Sequence, residues 1–347
     1  MSIKYCIFVF ISVKKMAMEN KQITILGGGS WATAIVKMLC NNCDKVNWWI
    51  RSQENVEFIQ ENGHNPKYLT DVAFDNSQLN VSTDIRALVE IADIVIIAIP
   101  SAFLHDAVLD LSDLLKDKIV FSAVKGIVPE FNQIIGDYLN EFHQVPLDNI
   151  GVITGPCHAE EVALERLSYL TLACTDLKKA ECLGEKLASS YIKVNISDDI
   201  YGTEISAVLK NVFAIASGIC HGLGYGDNFM AVLISNAIRE TKRFVDAVHP
   251  IERDIKDSAY LGDLLVTAYS NFSRNRIFGT MLGKGYSVKA AQMDMNMIAE
   301  GYYSVKCVHA INEKYGVRMP ITEAVYNVVY RKISPRVEMR LLTNELD

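Results

Sequence analysis

The side chains able to do chemistry in this sequence are two lysines, one aspartate and one polar cluster. Lys210 is the most unusual of them. On a helical wheel its neighbours are Thr203, Ser206, Ala207, Ala214 and Ser217, while the bulky stripe of Ile205, Val208, Leu209, Val212, Phe213 and Ala216 lies elsewhere. A lysine on a face of small residues leaves room for a ligand, although the same pattern suits a packing face with one snorkelling lysine. Lys125 follows the apolar run at 119–121 and precedes Gly126, which places it at the carboxyl edge of a sheet or simply in solvent. Asp263 and Thr267 are four residues apart and share a helix face. An aspartate there either holds a lysine in place or caps the helix. Ser273-Arg-Asn-Arg276 gathers a hydroxyl, an amide and two guanidinium groups. Arginine offers oxygens a planar fork of donors, so the cluster suits a phosphate, or else forms a plain surface loop.

These residues need elements to position them, and the strongest lies near the N-terminus. Lys21-Gln-Ile-Thr-Ile-Leu26 alternates apolar and polar residues and reads as a buried strand. It runs into Gly27-Gly-Gly-Ser-Trp-Ala-Thr-Ala34, a G-x-G-x-x-A pattern at Gly27, Gly29 and Ala32, and then into a helix. Gly27 permits the tight turn, Gly29 lets the backbone approach a pyrophosphate, and Ala32 lets helix lie close on strand. The helix N-terminus then points unpaired N–H groups at the phosphates. A second strand, 45–50, ends at Arg51, where a carboxylate usually binds the adenosine ribose. Arginine there accommodates a 2′-phosphate and tilts the cofactor towards NADP(H), with NAD(H) or dual use as the alternatives, or it is merely solvated.

The near-continuous apolar run at 93–99, broken by Pro100-Ser101, predicts a strand covered on both faces of a parallel sheet. Further strands are predicted at 118–123, 149–153, 169–173 and 191–194, with helical patterns between several of them. From Asp198 the apolar period becomes helical, and segments near 230–248, 286–314 and 321–331 follow it. The expected fold is α/β: an N-terminal Rossmann-like doubly wound sheet, residues 19–197, with a C-terminal all-helical domain, residues 198–347. Gly222-x-Gly-x-Gly226 has no strand before it and is predicted as a loop between helices, with Asp227-Asn228 as a cap.

With 347 residues, half of them hydrophobic, 22% charged and a net charge of -7, the chain reads as a folded protein with no basic face for nucleic acid. Its eight cysteines are scattered, which suits reduced cytosolic thiols better than a disulfide scaffold. Cys40-x-x-Cys43 has no second pair with which to form a zinc ribbon, and no metal site is expected. Residues 1–18 look like an addition in front of the fold, with an apolar run too short to span a bilayer and Met16 and Met18 as alternative starts. No membrane span is expected elsewhere.

The glycine turn at 27–34, residues 95–101, Val124-Lys-Gly126, Thr154-Gly-Pro-Cys-His-Ala-Glu-Glu-Val162, Val208-Leu-Lys-Asn-Val212, residues 222–228, Leu261-Gly-Asp-Leu264 and Ser273-Arg-Asn275 occur in one order. In that order the chain resembles the bacterial NAD(P)-dependent glycerol-3-phosphate dehydrogenase family, from about residue 21 to the C-terminal helices. The resemblance implies interconversion of dihydroxyacetone phosphate and sn-glycerol 3-phosphate for phospholipid synthesis. The implied partners are this small-molecule substrate and NAD(P)H, with no nucleic acid or membrane and with a homodimer left open. Carried over by position, Gly27, Gly29, Ser30, Trp31, Arg51, Lys125, Ala159, Arg274, Ile298 and Glu300 would contact the cofactor. Lys125, Gly155, Cys157, Lys210, Asp263, Ser273, Arg274 and Asn275 would contact the substrate, with Lys210 as the catalytic acid/base. Two positions depart from the family pattern. Cys157 stands where Ser or Thr is usual, which removes a good hydroxyl donor, and Ser168-Tyr169 stands where Pro-Thr is common. Other lysine-dependent dehydrogenases, of the 6-phosphogluconate or 3-hydroxyisobutyrate type, and a dinucleotide-binding sensor without turnover are the competing readings.

Overall fold

The computed structural model describes residues 21–295 and 299–347. The suggested extension at 1–18 and the suggested cofactor residue Ile298 lie outside them.

The strands are β1 (Ile23–Leu26), β2 (Val46–Trp49), β3 (Leu79–Ser82), β4 (Ile94–Ile97), β5 (Ile119–Ser122), β6 (Ile127–Val128), β7 (Gln133–Ile134), β8 (Ile150–Thr154), β9 (Ser168–Cys174) and β10 (Ile192–Ser197). Eight of them form one sheet in the order β10-β9-β8-β5-β4-β1-β2-β3, and β6 pairs with β7 in a small hairpin. β1 and β4 are buried along their whole length: β4 is wholly apolar, and in β1 the one polar side chain, Thr24, donates its hydroxyl to the Leu88 carbonyl at 2.9 Å. Every neighbouring pair in the large sheet is parallel except β8 and β9. The antiparallel step follows from the connection. Gly155 sits at φ +113, and a side chain there would press on the Tyr169 carbonyl at 2.7 Å, so the chain doubles back beside β8 through the short helix Ala159–Ala163.

The strand β3 and the hairpin β6–β7 carry no clear signal in the sequence. β3 is a four-residue edge strand with alternating burial, and each hairpin strand has two residues. Two apolar clusters cover the sheet, one containing the glycine-turn helix Ser30–Cys40 and the other the segment around Tyr138.

The second half is built around one helix, Ile200–Leu223, capped by Asp199, whose carboxylate accepts from Gly202 N at 2.8 Å. It is buried nearly all round. It is long and apolar enough to cross a membrane, but 89% of its apolar window is buried inside the protein, as befits a core helix. The helix Arg274–Gly283 crosses it at backbone distance: a side chain added at Gly279 would collide with the Ile215 carbonyl, and one at Gly218 with the Arg276 carbonyl.

Three local expectations change. The predicted helical stretch at 286–314 is broken into Val288–Asp294 and Glu300–Tyr315. Gly226 caps the helix Asp227–Val248, so Asp227 belongs to its first turn. Asp263 begins the helix Asp263–Tyr269 directly after a π-helical turn, Ser258–Gly262, so its carboxylate does not cap and is free for another partner.

Candidate active site

The carboxyl ends of the strands and the facing helices enclose a cavity of about 660 Å³. The chain passes from β1 to β2 and β3 on one side, then returns to β4 on the other. The loops after β1 and β4 therefore diverge, and a crevice opens between them at the switch point. Gly29, Ser30 and Trp31 line it from the first loop, and Ala98, Ile99 and Pro100 from the second.

This end of the cavity fits a dinucleotide. Gly27 takes φ +136, and a side chain there would collide with the Ala98 carbonyl. A Cβ on Gly29 would meet nothing within 4 Å, so the space in front of its backbone is open. No side chain caps the helix that begins at Ser30, which leaves its first N–H groups and the positive end of its dipole to an anion. Trp31 lines the cavity with its Nε1 buried and unpartnered among the described residues. Arg51 is exposed beyond β2 and lies outside the cavity wall.

At the other end two cations meet one anion. Lys210, on the central helix, is buried and donates to Asp263 Oδ1. Lys125, in the loop after β5, places its Nζ 3.9 Å from Asp263 Oδ2 and 5.3 Å from the centre of the Trp31 ring. Thr154, at the end of β8, donates to the same Oδ2 at 3.3 Å. Burial favours the uncharged amine and pushes Lys210 below the usual lysine range, against the attraction of Asp263 and with the help of Lys125. Burial alone would raise the Asp263 carboxyl, but the charges of Lys125 and Lys210 and the bond from Lys210 hold it below the usual carboxylate range. Cys157, against the same wall, has its thiol pushed up to about 11 by burial and stays neutral.

A relay of amides ties the sheet edge to the helices. Asn211 donates to the Lys125 carbonyl at 2.7 Å, Asn275 donates to Asn211 Oδ1 at 2.8 Å, and Gly301 N donates to Asn275 Oδ1 at 2.9 Å. Asn275 thus uses both ends of its side chain within the protein. Ser273 caps the helix Arg274–Gly283 by accepting from Arg276 N at 3.3 Å. Arg274 reaches across the cleft and donates to Ser30 Oγ at 3.3 Å. Glu300 accepts from Ser101 N at 3.0 Å and from its hydroxyl, and its buried carboxyl is raised by desolvation.

Of the residues singled out from the sequence, Gly29, Ser30, Trp31, Lys125, Cys157, Ala159, Lys210, Ser273, Arg274, Asn275 and Glu300 line this one cavity. Asp263 lies behind the wall, in contact with both lysines. Gly27 and Gly155 shape turns and do not form the wall. Sequence reasoning passed over Asn211, Thr154 and Ser101. A buried amide beside Lys210 in an apolar helix was a usable signal, whereas the Thr154 and Ser101 bonds span 109 and 199 residues and leave no local trace.

Comparison with known proteins agrees with this geometry. A family model described as NAD-dependent glycerol-3-phosphate dehydrogenase N-terminus matches residues 22–180, and its C-terminal counterpart matches residues 199–340. Glycerol-3-phosphate dehydrogenase (NAD(P)+) from an Exiguobacterium species is 34% identical over 92% of this chain and 94% of its own. The enzyme of that name from Bacillus pumilus is also 34% identical, over 94% and 96%. The crystal structure of glycerol-3-phosphate dehydrogenase from Coxiella burnetii superposes with a TM-score of 0.87 at 31% identity, covering 94% of this chain and 99% of that one. Matched by both family models over most of its length, this chain belongs to the NAD-dependent glycerol-3-phosphate dehydrogenase family.

Proposed function

We propose that the protein is an NAD(P)-dependent glycerol-3-phosphate dehydrogenase, reducing dihydroxyacetone phosphate to sn-glycerol 3-phosphate and reversing the reaction. The observation that carries this reading is the pair of lysines converging on buried Asp263 in a cavity that begins at an uncapped helix N-terminus. Gly29, Ser30 and Trp31 at that helix would hold the pyrophosphate end of a reduced nicotinamide dinucleotide, which when bound would supply the hydride for the ketone carbon.

The chain's own residues do the rest. As hydride arrives, negative charge develops on the ketone oxygen. Lys210, as an ammonium, hydrogen-bonds that oxygen and gives it a proton from Nζ. Its lowered pKa brings it nearer to neutral, where a general acid works best. Asp263 fixes the Lys210 head and keeps enough positive charge on it, while Lys125 orients the substrate and adds attraction for the forming oxyanion. Arg274, at the start of its helix, offers a fork of donors to phosphate oxygens. Asn275 and Asn211 act by holding the Lys125 loop against the helices.

On this reading the product feeds phospholipid synthesis in the cytoplasm. The test is direct: oxidation of NADH and of NADPH is followed at saturating dihydroxyacetone phosphate, with 6-phosphogluconate and 3-hydroxyisobutyrate tried in the oxidative direction. Turnover of the phosphorylated ketone alone supports the proposal, and turnover of the hydroxyacids in its place refutes it.

A further inference from the structure

His158 brings to the cavity a buried polar atom that the proposed chemistry does not use. His158 lines the wall between Cys157 and Ala159, and its Nε2 is buried with no hydrogen-bond partner among the described residues. Its ring meets the edge of Phe272, another wall residue, with centroids 6.2 Å apart and planes at 60°. The packing holds an orphaned nitrogen beside the two lysines. Buried polar atoms in folded proteins are almost always satisfied, so one left open on a cavity wall points to a ligand group that completes it.

The chemistry of the ring says which group. Burial, reinforced by the charges of Lys125 and Lys210 and only partly opposed by Asp263 and by a hydrogen bond between the ring and the Val266 backbone, pushes the imidazole down to about 4, so the ring is neutral at physiological pH. Nε2 then carries either a lone pair or an N–H. A hydroxyl satisfies both states, since it donates to the first and accepts from the second. A phosphate or carbonyl oxygen satisfies only the second, and a methyl group satisfies neither. Lys125, Lys210 and Arg274 already provide cationic donors for phosphate and ketone oxygens. Dihydroxyacetone phosphate carries one further polar group, the free hydroxyl on the carbon across the ketone from the phosphate.

We infer that His158 Nε2 hydrogen-bonds the free hydroxyl of the substrate and thereby selects a hydroxyl-bearing phosphoketone over its deoxy counterpart. The inference rests on the substrate proposed above. It makes His158 a specificity-determining residue, since hydride and proton pass elsewhere.

The experiment compares kcat/KM for dihydroxyacetone phosphate and for hydroxyacetone phosphate, which lacks that hydroxyl, with NADPH as reductant. Wild type, His158→Leu, His158→Phe and His158→Gln are assayed, and melting with NADPH confirms that each is folded. Wild type should prefer the hydroxylated ketone. In the Leu variant kcat/KM for dihydroxyacetone phosphate should fall at least about tenfold, chiefly through KM, while that for hydroxyacetone phosphate changes by less than about twofold. Gln, which keeps a donor and an acceptor, should recover part of the preference. The Phe variant supplies the same comparison if the Leu variant melts early. An equal loss on both ketones, or no loss on either, in a folded Leu or Phe variant overturns the inference. A wild type that reduces neither ketone refutes the proposed substrate instead, before any variant is compared.

Discussion

At the scale of single residues, burial and neighbouring charge together set the proton of Lys210. Its pKa is lowered, so the ammonium is lost at a pH below the ordinary lysine range. In the proposed mechanism ketone reduction requires the ammonium and oxidation of the alcohol requires the free amine. The kcat for reduction should therefore fall as pH rises through the lowered value, and the kcat for oxidation should rise. Asp263 opposes the lowering, so Asp263→Asn should move both limbs to still lower pH, and pH profiles that stay in place or move up would contradict this coupling. Arg51 offers a second residue-scale prediction. Exposed at the end of β2, it is free to pair with a 2′-phosphate, and Arg51→Asp should shift preference from NADPH towards NADH in side-by-side kcat/KM measurements. Lys210 was legible in the sequence because a lysine among small residues is odd. Which atoms it meets was not, because Asp263 lies 53 residues away and helical periodicity carries no information on partners at that distance.

At the scale of elements, the placement of the site depends on two helices meeting through glycine. The central helix carries Lys210 and Asn211, and the helix Arg274–Gly283 carries Arg274 and Asn275 at its first turn. Gly218 and Gly279 let their backbones touch, which fixes the distance between those groups. Gly279→Val must push the helices apart, so stability should fall by about 1–3 kcal/mol in chemical denaturation, with a higher KM for the substrate. An unchanged melt and KM would mean that the crossing has slack. The helices and the longer strands were readable from period and apolar runs, since burial on one or both faces dictates both. The element edges were less so. β3 is a short edge strand, the break between Val288–Asp294 and Glu300–Tyr315 interrupts a continuous helical pattern, and the antiparallel turn at β9 depends on one left-handed glycine.

At the scale of the molecule, the sheet presents the glycine turn to the cavity and the helical half presents Lys210, the proton donor of the proposed mechanism, with Arg274–Ser30, Ser101–Glu300 and the Lys125–Asn211–Asn275 relay joining them. Glu204 is a further strut. Fully buried on the central helix, it accepts from Gly136 N at 3.2 Å and 3.3 Å, and burial pushes its carboxyl up to about 8. A folded-state pKa above the unfolded one gives stability that is full below the unfolded value, 4.5, and is lost as pH rises towards 8. Glu204→Gln should therefore gain on wild type in denaturation experiments as pH rises through that window, and a constant difference would contradict the raised pKa. The division of labour between the domains is tested most directly by Lys210→Met, which keeps bulk but removes the proton and the charge. NADPH binding, measured by fluorescence titration, should stay near wild type because the glycine turn is untouched. Turnover of dihydroxyacetone phosphate should fall by at least ~10²–10⁴-fold, the usual worth of general acid catalysis. A folded variant that binds NADPH and turns over within a few-fold of wild type would contradict the account and make Lys125 the proton donor to test.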